Sequence, residues 1–85
     1  MDQYLENAMK IPEMQNLIKI NNIPDDAYSI NRKSQDESLC IQKNANIWEV
    51  FYYERGLKNS VHTFKNEDEA CEYFIKKLNE WFQKK

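Results

Sequence analysis

His62 is the only histidine in the chain, and Ser60 lies two residues before it. On a strand that spacing puts both side chains on one face, so a serine nucleophile served by a histidine base is the first chemistry to weigh. An ordinary strand histidine near Glu49 explains the residue more simply. Cys40, Cys71 and His62 do not have the spacing of a metal-ligand set. A glycine-rich phosphate loop needs several glycines, and Gly56 is the only one present. Asp25-Asp26 and Glu67-Asp68-Glu69 resemble acid pairs, but a turn and a helix start account for each. The residues thus read as those of a protein that is not an enzyme and uses no cofactor or metal.

Arg55, with Phe51, Tyr52 and Tyr53 just before it, is a different kind of signal. Arginine and tyrosine beside apolar area are the residue types that carry protein interfaces. The competing account makes these aromatics part of the core.

Eighty-five residues fit one small α+β domain spanning 1–85, whose stability is on the order of 4–13 kcal/mol. Two Trp, five Tyr and four Phe are too many for a chain that stays solvated, so a packed core is expected. Fourteen acids against twelve bases give a net charge of −2, which argues against nucleic acid as the partner. No apolar run approaches the ~20 residues that span a bilayer. The polar, acidic start Met1-Asp2-Gln3-Tyr4-Leu5-Glu6 does not read as a signal peptide, and two cysteines without framework spacing read as reduced. A cytoplasmic protein with no membrane contact is the expectation.

The elements that must position these side chains centre on Ile47-Trp48-Glu49-Val50-Phe51-Tyr52-Tyr53-Glu54, which ends at Arg55-Gly56. β-branched and aromatic residues crowd a helix but suit a pleated surface, so this is a strand, apolar on both faces and therefore central. Before it, Tyr4, Leu5, Ala8 and Met9 have helical spacing. A helix is expected from Pro12 to Ile20, with Asn22 as its left-handed cap residue and Ile23 folded back on Ile18. A short edge strand over Ala27–Ile30 and a polar loop from Asn31 to Glu37 follow. Ser38 to Lys43 alternates as a strand does, and Leu57 to Phe64 returns antiparallel. Cys71, Phe74, Ile75, Leu78 and Phe82 recur every three or four residues, with Ala70 and Trp81 beside them, which marks a C-terminal helix after Asn66. The expected architecture is an antiparallel meander of three to four strands, with one or more N-terminal helices and a C-terminal helix packed on the sheet.

Register decides which residues share a face. If Lys43 pairs with Ile47 and Val50 with Val61, one uncharged face carries Cys40, Trp48, Val50, Tyr52, Val61 and Thr63, and the C-terminal helix belongs there. The mixed face then carries Leu39, Ile41, Ile47, Glu49, Phe51, Tyr53, Lys58, His62 and Phe64. N-terminal helices would cover that face in part, or leave it open. A slip of one residue in the second hairpin would overturn the assignment.

Three segments carry a family resemblance: Ile23-Pro24-Asp25-Asp26-Ala27-Tyr28-Ser29-Ile30, then Trp48-Glu49-Val50 with Glu54-Arg55-Gly56, then Phe64 with Glu69-Ala70-Cys71-Glu72-Tyr73-Phe74. Over roughly residues 23–78 the chain resembles small bacterial immunity proteins encoded beside polymorphic or contact-dependent toxins. The resemblance implies a cytoplasmic antitoxin that binds a toxin domain of its own lineage and blocks the toxin's active site. It brings no catalytic residues. The expected partner-binding residues are Glu49, Phe51, Tyr53, Arg55, Lys58 and His62. A regulatory protein-binding module, or a domain that forms a homodimer, is the alternative. The order αβββα is shared with double-stranded-RNA-binding domains, but the last helix opens on acids where such domains set lysines against phosphate.

Overall fold

Pro12 sits in the first turn of the first described helix, where no backbone N–H is needed. A computed structural model describes residues 9–82; most of the helical spacing read over residues 2–10 lies outside them. Helix α1 (Ile11–Ile20) buries Met14 and Ile18. Its end is a Schellman motif: Asn22 takes φ 59°, and the Asn22 and Ile23 N–H groups donate to the carbonyls of Lys19 and Ile18 at 3.1 and 3.2 Å. Ile23 is thereby returned to the core beside Ile18. A short 3₁₀ turn at Asp25–Ala27 leads into β1 (Tyr28–Ile30), followed by β2 (Ser38–Asn44), β3 (Ile47–Glu54), β4 (Leu57–Phe64) and helix α2 (Glu67–Phe82).

The sheet order is β1-β2-β3-β4. Strands β2 to β4 form the expected antiparallel meander, but β1 joins β2 in parallel, with Tyr28 opposite Leu39 and Ile30 opposite Ile41. The sheet is therefore mixed rather than antiparallel throughout. A parallel pair needs its chain to return to the starting end, usually through a dozen residues or more. Here β1 is only three residues long, roughly 10 Å, and the loop from Asn31 to Glu37 covers that distance. Hydrogen bonds hold the loop: Gln35 Nε2 donates to the Tyr28 carbonyl and the Ser29 hydroxyl, Ser38 Oγ donates to the Gln35 carbonyl at 2.6 Å, and the Lys43 N–H donates to Asn31 Oδ1.

Both hairpins differ in register from the expectation. Asn44 pairs with Ile47, leaving Ala45-Asn46 as a two-residue loop in which Ala45, not an asparagine, takes the positive φ. Arg55 and Gly56 do form a two-residue turn, both with positive φ as a type I′ turn requires. Beyond it, however, β4 contains a bulge. Tyr52 pairs with Asn59 but Val50 pairs with His62, and Ser60 takes φ 55° where the ladder shifts. Every β4 residue after the bulge changes face.

Consequently Leu39, Ile41, Trp48, Val50, Tyr52, His62 and Phe64 face the helices, while Ser38, Cys40, Ile47, Glu49, Phe51, Tyr53, Val61 and Thr63 face away. The β3 assignment matches the sequence reading; Leu39, Ile41, His62 and Phe64 exchange faces with Cys40, Val61 and Thr63. The core is one cluster of Met14, Ile18, Leu39, Ile41, Trp48, Val50, Cys71, Phe74 and Leu78 with their neighbours. Both helices therefore cover the same face. They run side by side in one direction: Glu67 Oε2 accepts the Ile11 N–H at 2.9 Å, and Asn21 Nδ2 donates to Asn79 Oδ1 at 2.9 Å. The Glu67 carboxylate thus lies at the positive ends of two helix dipoles. Among the described residues no helix is long and apolar enough to cross a membrane.

The bulge has a measurable consequence. A non-glycine residue in the left-handed region costs on the order of 1–3 kcal/mol, most for β-branched side chains. Ser60→Val should destabilise the fold by about 1–2 kcal/mol in urea unfolding, whereas Ser60→Gly should not destabilise it. Equal midpoints for the two variants would show that β4 pairs without the bulge.

Candidate functional site

The helix-free face is bare only in part. Ser29, Ser38 and Cys40 are fully buried there, under the loop from Asn31 to Glu37 that Gln35 ties to Ser29. The open area lies over β3 and β4. Lys58 Nζ reaches Glu49 Oε1 at 3.0 Å and passes 4.7 Å above the centre of the Phe51 ring. Tyr53 meets Phe51 edge-on at 6.5 Å. These contacts leave Phe51 only 1% exposed although no helix covers it, because the lysine stem and the tyrosine close over it. Ile47, Val61 and Thr63 are exposed at the margin.

The structure brings together Glu49, Phe51, Tyr53 and Lys58, and sets Arg55 at the tip of the same hairpin. His62 does not join them. The bulge turns it to the helix side, where its ring lies 4.8 Å from that of Tyr73 on α2. His62 Nδ1 is 3.0 Å from the Ser60 carbonyl, which can only accept, so Nδ1 carries a proton and donates it there. The Tyr73 oxygen, at 3.3 Å, is a second acceptor for the same proton. It is thus the carbonyl of Ser60 that engages the imidazole, and no hydrogen bond joins the Ser60 hydroxyl to His62 among the described residues.

A second surface was not visible in the sequence. Toward its C-terminal end α2 leaves a groove of about 450 Å³ over β3 and β4, whose lining includes Tyr52, Glu54, His62, Tyr73, Lys77 and Trp81. Trp81 meets Tyr52 edge-on at 5.5 Å and stays 46% exposed. The signal available beforehand was that Tyr73 and Trp81 stand off the apolar stripe of α2. The two cysteines are free and buried on opposite sides of the sheet, Cys40 beneath the loop and Cys71 in the helix-covered core. Among the described residues there is no group of three His, Cys, Asp or Glu placed to hold a metal ion. No family model, curated protein or solved structure matches the chain.

Proposed function

We propose that this chain is a small binding protein of the immunity type, which neutralises a cognate toxin domain by stoichiometric association. The observation that carries the reading is the helix-free sheet surface, where Glu49, Phe51, Tyr53 and Lys58 are held in fixed contact beside the Arg55 tip. Such a surface is preorganised: the lysine and the aromatics are already ordered, so binding loses little side-chain entropy. It acts as a binder in the cytoplasm rather than as a catalyst. The resemblance of residues 23–78 to immunity proteins makes a toxin the partner of choice over an unrelated regulatory target.

The experiment is growth rescue. If a toxin is encoded beside this protein, co-expression of the wild type restores growth. Tyr53→Ala and Arg55→Glu should each weaken binding by about thirtyfold, the equivalent of about 2 kcal/mol for an interface hot spot, and rescue should fall with it. Their melting temperatures should stay within a few degrees of wild type, and Lys33→Glu in the exposed loop should rescue fully. Tip variants that protect as well as wild type move the binding surface elsewhere. If no toxin gene is adjacent, the immunity assignment falls and a general protein-binding module remains.

A further inference from the structure

The loop between β1 and β2 covers part of the helix-free face, yet it contains no apolar residue. Its sequence, Asn31-Arg32-Lys33-Ser34-Gln35-Asp36-Glu37, is polar or charged throughout. Beneath it Ser29, Ser38 and Cys40 are 0% exposed. On the other side of the sheet an apolar cluster holds the helices. Here the cover is polar and what it covers is small, so hydrogen bonds carry the attachment.

Those bonds divide the loop into two pinned ends and a loosely tied middle. At one end the Asn31 N–H donates to the Ile41 carbonyl at 2.8 Å, and at the other the Glu37 N–H donates to the Tyr53 carbonyl at 2.7 Å. Between them side chains make the ties. Arg32 Nη2 and Gln35 Nε2 each donate to the Tyr28 carbonyl at 3.2 Å, and Gln35 Nε2 also reaches Ser29 Oγ at 3.4 Å. Gln42 Nε2 reaches the Arg32 carbonyl, and the Gly56 N–H reaches Asp36 Oδ1, both at 3.4 Å. These lie beyond the usual range for a strong bond, and only the bond from Ser38 Oγ to the Gln35 carbonyl, at 2.6 Å, is short. Both pinned residues have positive φ, 50° at Asn31 and 60° at Glu37. Hinges form at such element-terminal positions, and strain of this kind collects in segments with two states. Lifting the middle would give its polar groups, and the two serines, to water without baring a large apolar side chain.

We propose that residues 32–36 are a hinged strap, which lifts off the β1–β2 half of the helix-free face while the rest of the domain stays folded. Lifting uncovers a strip of small side chains continuous with the surface over β3. Cys40 lies opposite Phe51, and Ser38 opposite Tyr53, across the ladder. The strap thus sets how much of that face a partner meets. This consequence rests on the toxin-binding assignment. The motion does not, and it is tested without a partner.

The two free cysteines report on it, because Cys40 lies under the strap and Cys71 in the core across the sheet. The folded full chain is treated with N-ethylmaleimide at pH 7.5, in urea concentrations well below the unfolding midpoint. Peptide mass spectrometry follows each thiol. Cys40 should react at least about a hundredfold faster than Cys71, at a rate nearly independent of urea, as local opening requires. Cys71 should react through global unfolding, at a rate that climbs steeply with urea. Ile18→Val weakens the helix-covered core, which stays folded when the strap lifts. It should speed Cys71 about fivefold and leave Cys40 unchanged. Gln35→Ala removes ties from the middle of the strap and should speed Cys40 about tenfold. The Asn31 and Glu37 amides should stay protected from hydrogen exchange while Cys40 reacts. Equal rates and urea slopes for the two thiols would overturn the proposal, as would Ile18→Val speeding both alike or Gln35→Ala leaving Cys40 unchanged. Exchange of the Asn31 and Glu37 amides in step with Cys40 labelling would also overturn it, since the ends would then open with the middle.

Discussion

Leu78→Asp is expected to leave no cooperative thermal transition and no native dispersion of amide resonances. Leu78 is 0% exposed and lies in the middle of the α2 stripe, in one cluster with Phe74, Ile41, Val50 and Met14. Removing a buried leucine from such a site costs about 2–5 kcal/mol, and burying an unpartnered carboxyl adds several more even when it is protonated. The sum matches or exceeds the whole stability of an 85-residue chain, on the order of 4–13 kcal/mol. Leu57→Asp is the matched control. Leu57 is 66% exposed near the hairpin tip, so the same chemical change should move stability by no more than about 0.5 kcal/mol. A Leu78→Asp protein that melts cooperatively near the wild-type temperature would show that α2 does not lie on the sheet through this stripe.

The same helix shows why the elements could be read from sequence. Their boundaries are marked by residues with local conformational requirements: Pro12 at a helix start, Asn22 at a left-handed cap, Arg55-Gly56 at a type I′ turn. The spacing of Cys71, Phe74, Ile75 and Leu78 is intrinsic to α2, and these four are buried. What failed depends on relations between elements. Asn44-Ala45-Asn46 fits a two- or a three-residue loop equally well, and the difference of one residue decides whether Leu39 or Cys40 meets the helices. The bulge at Ser60 has no glycine to announce it, and a serine held at φ 55° is stable only in the completed sheet. Glu49, Phe51 and Tyr53 share a face because they lie on β3 alone, and Lys58 precedes the bulge. His62 follows the bulge, which carries it to the helix side, opposite to the face that an unbroken strand would give it. The parallel pairing of β1 was equally illegible, because three residues contain no information about the direction of their partner.

The other large expected effect is alkaline. Burial in the helix-covered core pushes the Cys71 thiol from its ordinary 9.0 up to about 12, with the Glu67 carboxylate adding to the rise. The folded protein therefore keeps a proton that the unfolded chain releases above pH 9. Stability linked to this thiol is complete below pH 9 and is lost as pH climbs from 9 toward 12, by about 1.4 kcal/mol per unit. At pH 10.5 the loss should reach about 2 kcal/mol. Tyr28 and Tyr52 are raised as well, each chiefly by burial, and they also weaken the fold in alkali. Comparison with Cys71→Ala separates the contributions, since both proteins share the tyrosines and Cys40. The alanine variant should be about 1 kcal/mol less stable at pH 7.5, from the lost sulfur packing. By pH 10.5 its urea midpoint should equal or exceed that of the wild type. A gap that stays constant between the two pH values would mean that the thiol ionises in the folded state, and that the core beneath α2 admits water at Cys71.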